Sequence, residues 1–340
     1  MYERILVPLD GSDLALQALP YARTVFGATG AEVELLSVIE PIESLAKGRL
    51  RDSVAVGAGG RPRRASTDNV VRLLNLRRNE AMKTLEATAE SLGGTGRVRC
   101  IVREGDPAQA IIEEADERPN TLIAMATHGR SGIGRWLLGS VTDKVARHAK
   151  HPTLVVRARE DTRSAPPLLR KVLLPLDGSS TAEAAIPHGV EIAKTLGLGI
   201  TLLHATSRLS PAEVYTEYIV YDDWFTQVQT DARSYLGGIA QRIRGQGVED
   251  VNEHVMVGNA GSLILDAADD ALVVMATHGR SGVGRWLLGS VTDRVVRHSS
   301  GPVLVVRPGD PAQPALPDRE SAEGPSEADS GQVEHKDLSG

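Results

Sequence analysis

Two stretches of the chain carry residue types at spacings that suit ligand chemistry, and each occurs twice. The first runs from Met125-Ala126 to Gly139-Ser140, with nine residues between Gly129 and Gly139. Its copy runs from Met275-Ala276 to Gly289-Ser290, with the same nine residues between Gly279 and Gly289. Glycines at 129, 132, 134 and 139 permit positive φ and close approach of backbone to a ligand. Ser140, with Asp143 three residues on, has the spacing of a variant capping box, so Ser140 is expected as the N-cap of a helix reaching His148. A helix N-terminus behind a glycine-rich turn offers N–H groups and the positive end of the dipole, which suits phosphate. Arg130 and Arg135 add charge, whereas Trp136, Leu137 and Leu138 read as packing residues.

The second stretch is Val7-Pro8-Leu9-Asp10-Gly11-Ser12, repeated as Leu174-Pro175-Leu176-Asp177-Gly178-Ser179. It falls at the carboxyl end of the first strand of each copy. Asp10 has two readings: acceptor for sugar hydroxyls or base amines, or N-cap of a helix over Asp13–Phe26. Other chemistries fail on spacing. No GxxxxGK[ST] phosphate loop occurs, and after Gly132 and Gly134 the third glycine falls at 139, too late for a dinucleotide fingerprint. His128 and His278 have no partner histidines at metal spacing and read as polar lining or loop hydrogen bonders. No catalytic residue and no metal ligand is assigned.

The elements that must position these residues also repeat. Residues 125–148 and 275–298 differ only at 133/283, 144/294 and 146/296, whereas Arg4–Val38 and Lys171–Ala205 share 12 identities in 35. Either that one segment does something specific in both copies, or a recent gene conversion copied it. The chain reads as domain 1–158, a linker at 159–167, domain 168–308 and a disordered acidic tail at 309–340. In copy one, Ile5–Leu9, Val33–Val38, Val98–Val102, Thr121–Ala126 and Thr153–Val156 read as strands. Asp13–Phe26, Val70–Leu92, Pro107–Ala115 and Ser140–Ala149 read as helices. Copy two repeats the strands at Val172–Leu176, Ile200–Ala205, Val251–Val257, Ala271–Ala276 and Val303–Val306. Such alternation predicts an α/β fold of two doubly wound domains, each a parallel sheet with helices on both faces. If the first and fourth strands are neighbours, Asp10 and Gly129–Ser140 meet at the switch point where such sheets bind ligands. Copy one adds a Gly- and Arg-rich loop, Pro41–Asn69, with Arg63-Arg64-Ala65-Ser66 inside it; copy two has the more apolar Tyr215–Trp224 there.

Composition narrows the functional class. The 340 residues are 41% hydrophobic, enough for sizeable cores, and at 3% aromatic those cores must be aliphatic. A net charge of −6 and the lack of an aromatic platform argue against a nucleic-acid binder. Cys100 is the sole cysteine, which excludes an intrachain disulfide and a CxxC site, and its apolar neighbours predict a buried, inert thiol rather than a redox sensor. No signal peptide and no membrane span is read, so the expected location is cytoplasmic.

These residues resemble the universal stress protein family in its tandem two-domain form. The resemblance rests on Val-Pro-x-Asp-Gly-Ser at Val7–Ser12 and on the motif G-x2-G-x9-G-[ST], matched from Gly129 to Ser140 and from Gly279 to Ser290. Ala126 and Ala276 stand where that motif opens with glycine. The resemblance implies five-stranded sheets of order 3-2-1-4-5, whose last strands meet across a pseudo-two-fold axis to form an intramolecular pseudo-dimer, with a homodimer of chains left open. It implies ATP, with Mg2+ as its accompanying ion, held by Pro8, Asp10, Val38, Met125, Ala126, Gly129, Gly139, Ser140, Val141 and Thr142. In copy two the corresponding residues are Pro175, Asp177, Ala205, Met275, Ala276, Gly279, Gly289, Ser290, Val291 and Thr292. Adenine would lie near Asp10, Val38 and Met125, and the phosphates on Gly129 and Gly139–Thr142. The implied function is a nucleotide-dependent regulator or sensor in stress response. A nucleotide-independent scaffold for protein partners and a slow ATPase or nucleotidyl transferase are the alternatives. Fast phosphoryl transfer needs metal-holding carboxylates, and the motif loops offer only Asp10 and Asp143 with their copies.

Overall fold

The computed structural model describes residues 2–26, 30–41, 67–92, 98–127, 138–158, 168–207, 221–278 and 288–308. Copy one runs β1 (Arg4–Pro8), α1 (Asp13–Leu16), α2 (Ala18–Phe26), β2 (Glu32–Ile39), α3 (Thr67–Ser91), β3 (Val98–Glu104), α4 (Pro107–Asp116), β4 (Thr121–Ala126), α5 (Ser140–His148) and β5 (Thr153–Val156). Copy two runs β6 (Lys171–Pro175), α6 (Ser180–Glu183), α7 (Ile186–Leu196), β7 (Gly199–Thr206), α8 (Tyr221–Gly245), β8 (Val251–Val257), α9 (Ala260–Ala267), β9 (Ala271–Ala276), α10 (Ser290–His298) and β10 (Val303–Val306). The central strands are short aliphatic runs buried on both faces: every residue of β4, β5, β9 and β10 is buried. That double burial is what apolar strands without polar alternation require.

The strands form one ten-stranded sheet in the order β3-β2-β1-β4-β5-β10-β9-β6-β7-β8. Each half is parallel with order 3-2-1-4-5, and the halves join through an antiparallel β5–β10 pair. Leu154 lies opposite Leu304, the same position in the other copy, so the pseudo-two-fold axis passes between them. Pairing the two apolar end strands leaves neither as an open edge. One core lies on the face covered by α1–α3 and α6–α8 and is continuous across both copies. The opposite face carries two clusters, one under α4 and α5 and the other under α9 and α10, with Leu138, Ala146 and Val155 of copy one joining the latter.

The structure corrects several local expectations. The helix expected over Asp13–Phe26 is broken after Leu16. Pro20 has no N–H for the Leu16 carbonyl, and the Gln17 N–H turns back to Leu14 at 3.2 Å. Helix α3 starts at Thr67, inside the stretch expected as loop, and residues 42–66 lie outside the described residues, as do the linker 159–167 and the tail. Cys100 on β3 is half-buried rather than buried, and burial, then Glu86, pushes its thiol pKa up.

One buried feature had no sequence signal. Arg4, 1% exposed, pairs with Glu34 at 3.0 Å and with Glu114 at 3.6 Å, and donates to Thr121 Oγ1 at 3.0 Å. It also donates to the Glu114 and Ala115 carbonyls at 2.7 and 3.0 Å. Strand register puts Lys171 and Thr201 at the places of Arg4 and Glu34 in copy two, so this network belongs to copy one alone. Between the copies, Tyr2 stacks on His188 and their Oη and Nδ1 atoms are hydrogen-bonded at 2.6 Å. His188 is fully buried, and desolvation lowers its pKa to about 4.

Candidate functional site

The copy-one cleft forms where the sheet order reverses. Strand β1 lies between β2 and β4, so the loop after β1 and the loop after β4 diverge to opposite faces and leave a crevice above their carboxyl ends. It encloses about 790 Å³, within the size range of small-molecule sites. The lining includes Pro8, Asp10, Val38, Met125, Ala126, Gly139, Ser140, Val141 and Thr142, all but one of the residues proposed for copy one. The remaining residue, Gly129, lies outside the described residues, as does Gly279 in copy two. Sequence reasoning missed the wall made by α3: Arg77, Glu80, Ala81 and Thr84 face the cleft. Their spacing of three and four places them on one helix face, a signal visible in the sequence.

The loop after β1 is set by Gly11 and Gly178, whose φ values of +80° and +86° favour glycine. Asp10 Oδ1 accepts from Ser12 N at 3.0 Å and from Ser12 Oγ at 2.6 Å. Ser12, not Asp10, is the N-cap of α1, accepting from Ala15 N at 3.2 Å. Asp177 and Ser179 repeat this arrangement at the same distances. Asp10 therefore shapes the loop and lines the cleft without capping the helix.

At the opposite wall the expected cap is also corrected. Gly139 is the N-cap of α5, with no side-chain cap, and Ser140 is the first helical residue. The Gly139 N–H donates to Thr127 O at 2.7 Å, and Thr142 Oγ1 donates to Ala126 O at 2.8 Å, which ties the first turn to the end of β4. Helix α10 is built the same way: Gly289 N–H to Thr277 O is 2.7 Å, Thr292 Oγ1 to Ala276 O is 2.9 Å, and no side chain caps it. A Cβ on Gly289 would sit 3.1 Å from Thr277 O, so the tight seat of this turn needs glycine. By contrast α1, α4, α6 and α9 are capped by Ser12, Asp106, Ser179 and Asn259. The first N–H groups of a helix have no partner inside it, so α5 and α10 could offer theirs to an anion.

Asp143 and Asp293, expected to cap, instead join an ion-pair ring across the pseudo-two-fold axis. Asp143 pairs with Arg147 at 2.9 Å and with Arg297 at 3.2 Å, and Asp293 pairs with Arg297 at 2.8 Å and with Arg147 at 2.9 Å. The hydrogen bond to the aspartate of its own helix is the first cause holding each arginine pKa above its ordinary value.

In copy two, Pro175, Asp177, Ala205, Met275, Ala276, Gly289, Ser290, Val291 and Thr292 occupy the same places in the topology. Its wall at the carboxyl end of β7 differs. Strand register puts His204 where copy one has Ser37. The Tyr235 ring meets His204 edge-on at 6.0 Å, and its hydroxyl donates to Glu183 at 3.2 Å. Burial is the first cause raising the Tyr235 pKa, and Glu183 and Asp177 add to it. His278 contacts Thr277 Oγ1 through Nδ1 at 3.0 Å, a loop hydrogen bond as expected; His128 lies outside the described residues. Leu138 and Leu288 are buried as packing residues, whereas Trp136 and Leu137 are not among the described residues. Among the described residues, no three His, Cys, Asp or Glu side chains gather as a metal site, and no helix is long and apolar enough to cross a membrane.

Comparison with known proteins agrees with this architecture. The model of the universal stress protein family matches residues 1–157 and again 169–307. A universal stress protein of Mycobacterium tuberculosis is 27% identical over 320 residues, covering 92% of this chain and 97% of that one. One from Mycolicibacterium smegmatis is 30% identical over 230 residues, 66% of this chain and 74% of the other. The crystal structure of a universal stress protein from Archaeoglobus fulgidus superposes with a TM-score of 0.63 at 20% identity, covering 91% of this chain and 100% of that one. Matched in both halves, the chain belongs to the universal stress protein family, as two of its domains in tandem.

Proposed function

We propose that the chain binds an adenine nucleotide, ATP first, in the cleft of each copy, and acts in the cytoplasm as a nucleotide-dependent regulator of a stress response. The observation that carries this reading is the pair of uncapped helix N-termini, each behind a Gly139- or Gly289-type turn, with that of α5 opening into the 790 Å³ cleft. The phosphates would take the N–H groups of Ser140, Val141 and Thr142 and their copy-two counterparts Ser290, Val291 and Thr292. Val38 and Met125 would flank the base, with the Asp10 loop at the base and ribose end. The residues fit such a ligand: a small-residue cradle at one end and an apolar slot at the other. A triphosphate held there would bring Mg2+ as its counter-ion, which would offset phosphate charge. Among the described residues Arg77 is the one cation in the cleft lining, and Asp10, Glu40 and Glu80 are its acids; regulated occupancy, not rapid turnover, is the role proposed.

Mass spectrometry of small molecules released from the purified, heat-denatured chain tests the ligand, and calorimetry with ATP, ADP, AMP and cAMP tests its class. Tightest binding by ATP is the expected result. No binding by any of them at millimolar concentration would replace this reading with the nucleotide-independent scaffold. A steady-state phosphate-release assay then separates a binder from a slow ATPase.

A further inference from the structure

We propose that each copy completes the phosphate site of the other: Arg297 of copy two serves α5, and Arg147 of copy one serves α10. This rests on the nucleotide reading above and adds residues that lie outside the cleft lining. Asp143 and Asp293 sit in the first turns of the two helices that face the phosphates. A carboxylate there stabilises the bare helix but repels a second anion at the same positive end. Each carboxylate is neutralised from two directions. Asp143 Oδ2 faces Arg147 of its own helix at 2.9 Å, while Asp143 Oδ1 faces Arg297 of the other copy at 3.2 Å. Asp293 is held reciprocally, by Arg297 at 2.8 Å and by Arg147 at 2.9 Å.

The arginine of either helix is thus shared between both aspartates. Each helix brings one carboxylate and one guanidinium, and docking gives every carboxylate a second guanidinium. The docking has its own ties: Arg157 donates to His298 O at 3.4 Å, and Arg307 donates to the Arg147 carbonyl. The four side chains are 20–29% exposed, so water screens them only in part. Losing one arginine leaves one surplus negative charge beside both phosphate cradles. The ring also accounts for part of the near-identity of residues 125–148 and 275–298. A self-complementary contact is met when both sides carry the same patch, and positions 143/293 and 147/297 are unchanged between the copies.

The test isolates copy one by blocking copy two with Ser290→Glu, then measures ATP affinity by calorimetry. Arg297→Ala should weaken binding about five-fold, although residue 297 belongs to the other copy. Arg297→Lys should recover most of that loss, and adding Asp143→Asn to Arg297→Ala should restore affinity, because the charge being neutralised is gone. The penalty should shrink as salt rises from 20 to about 500 mM. A purely structural role for Arg297 would give none of this reversal. Unchanged affinity in Arg297→Ala, or no restoration by Asp143→Asn, overturns the inference while ATP binding by the parent keeps the nucleotide reading intact. Failure of both parent and unmodified chain to bind ATP overturns both.

Discussion

The two copies agree at the helices that meet across the pseudo-two-fold axis and would hold an anion, and they differ almost everywhere else, including the one-sided Tyr2–His188 contact between them. Helices α5 and α10 share their glycine cap, their threonine tie to the preceding strand and their aspartate–arginine pair. Away from that segment, copy one buries an Arg4–Glu34–Glu114 network where copy two has Lys171 and Thr201. Copy two in turn packs His204 and Tyr235 against the region where copy one leaves Ser37 in the wall of an open cleft. In the aspartate–arginine ring each residue serves both copies, so a change in either one disturbs two partners, whereas cores and cleft walls answer to their own copy and can drift.

Breaking the buried charges should separate the copies most. Arg4→Met leaves the buried Glu34 and Glu114 with only the exposed Arg99 and Arg103 as cations and should cost about 3 kcal/mol. Lys171→Met, at the same place in copy two, should cost under about 1 kcal/mol. Urea unfolding of both variants checks this; equal losses would remove the asymmetry. Acidification probes the seam between the copies. His188 has a folded pKa of about 4 against 6.5 for the free side chain, so the unfolded chain binds the extra proton first as pH falls. The contribution of His188 should therefore be full above pH 6.5, decline by about 3 kcal/mol through the window from 6.5 to 4, and be exhausted below it. His188→Leu should flatten that part of the stability–pH curve.

A smaller effect concerns the base-side walls. The unmodified chain should show two ATP sites of unequal affinity, the weaker in copy two. Tyr235→Thr should strengthen that site about ten-fold, the low end for clearing bulk from a pocket. Two indistinguishable sites in the unmodified chain would contradict the asymmetry of the clefts. The smallest effect is a control for what the copies share: Ser12→Ala and Ser179→Ala each remove one N-cap bond and should each cost about 1 kcal/mol.

Strand positions were legible because apolar runs, turn residues and the repeated motifs all point the same way, whereas their order and the meeting of β5 with β10 came from the family resemblance. The expected ranges for β4, β5, β8, β9 and β10 coincide with those observed. The glycine motif and the Asp10 loop were legible as local patterns that topology had only to bring together. The missed features depend on partners distant in sequence. Ser140 and Asp143 satisfy a capping spacing, yet Gly139 takes the cap, its N–H reaching Thr127, and the helix starts at Ser140, one residue earlier than that spacing predicts. Asp143 is then drawn to Arg297, a contact no local pattern encodes. Glu34 looks like a solvent-facing residue until Arg4 is placed beside it on the neighbouring strand.

The most direct measurement of the central claim is the ATP stoichiometry of Ser140→Glu, Ser290→Glu and the double variant beside the unmodified chain. Glutamate at a first helical position favours the helix through the dipole while placing a carboxylate where phosphate would lie. The account predicts two ATP per unmodified chain, one for each single variant and none for the double variant, all with circular dichroism like the parent. Full ATP binding by the folded double variant would contradict it.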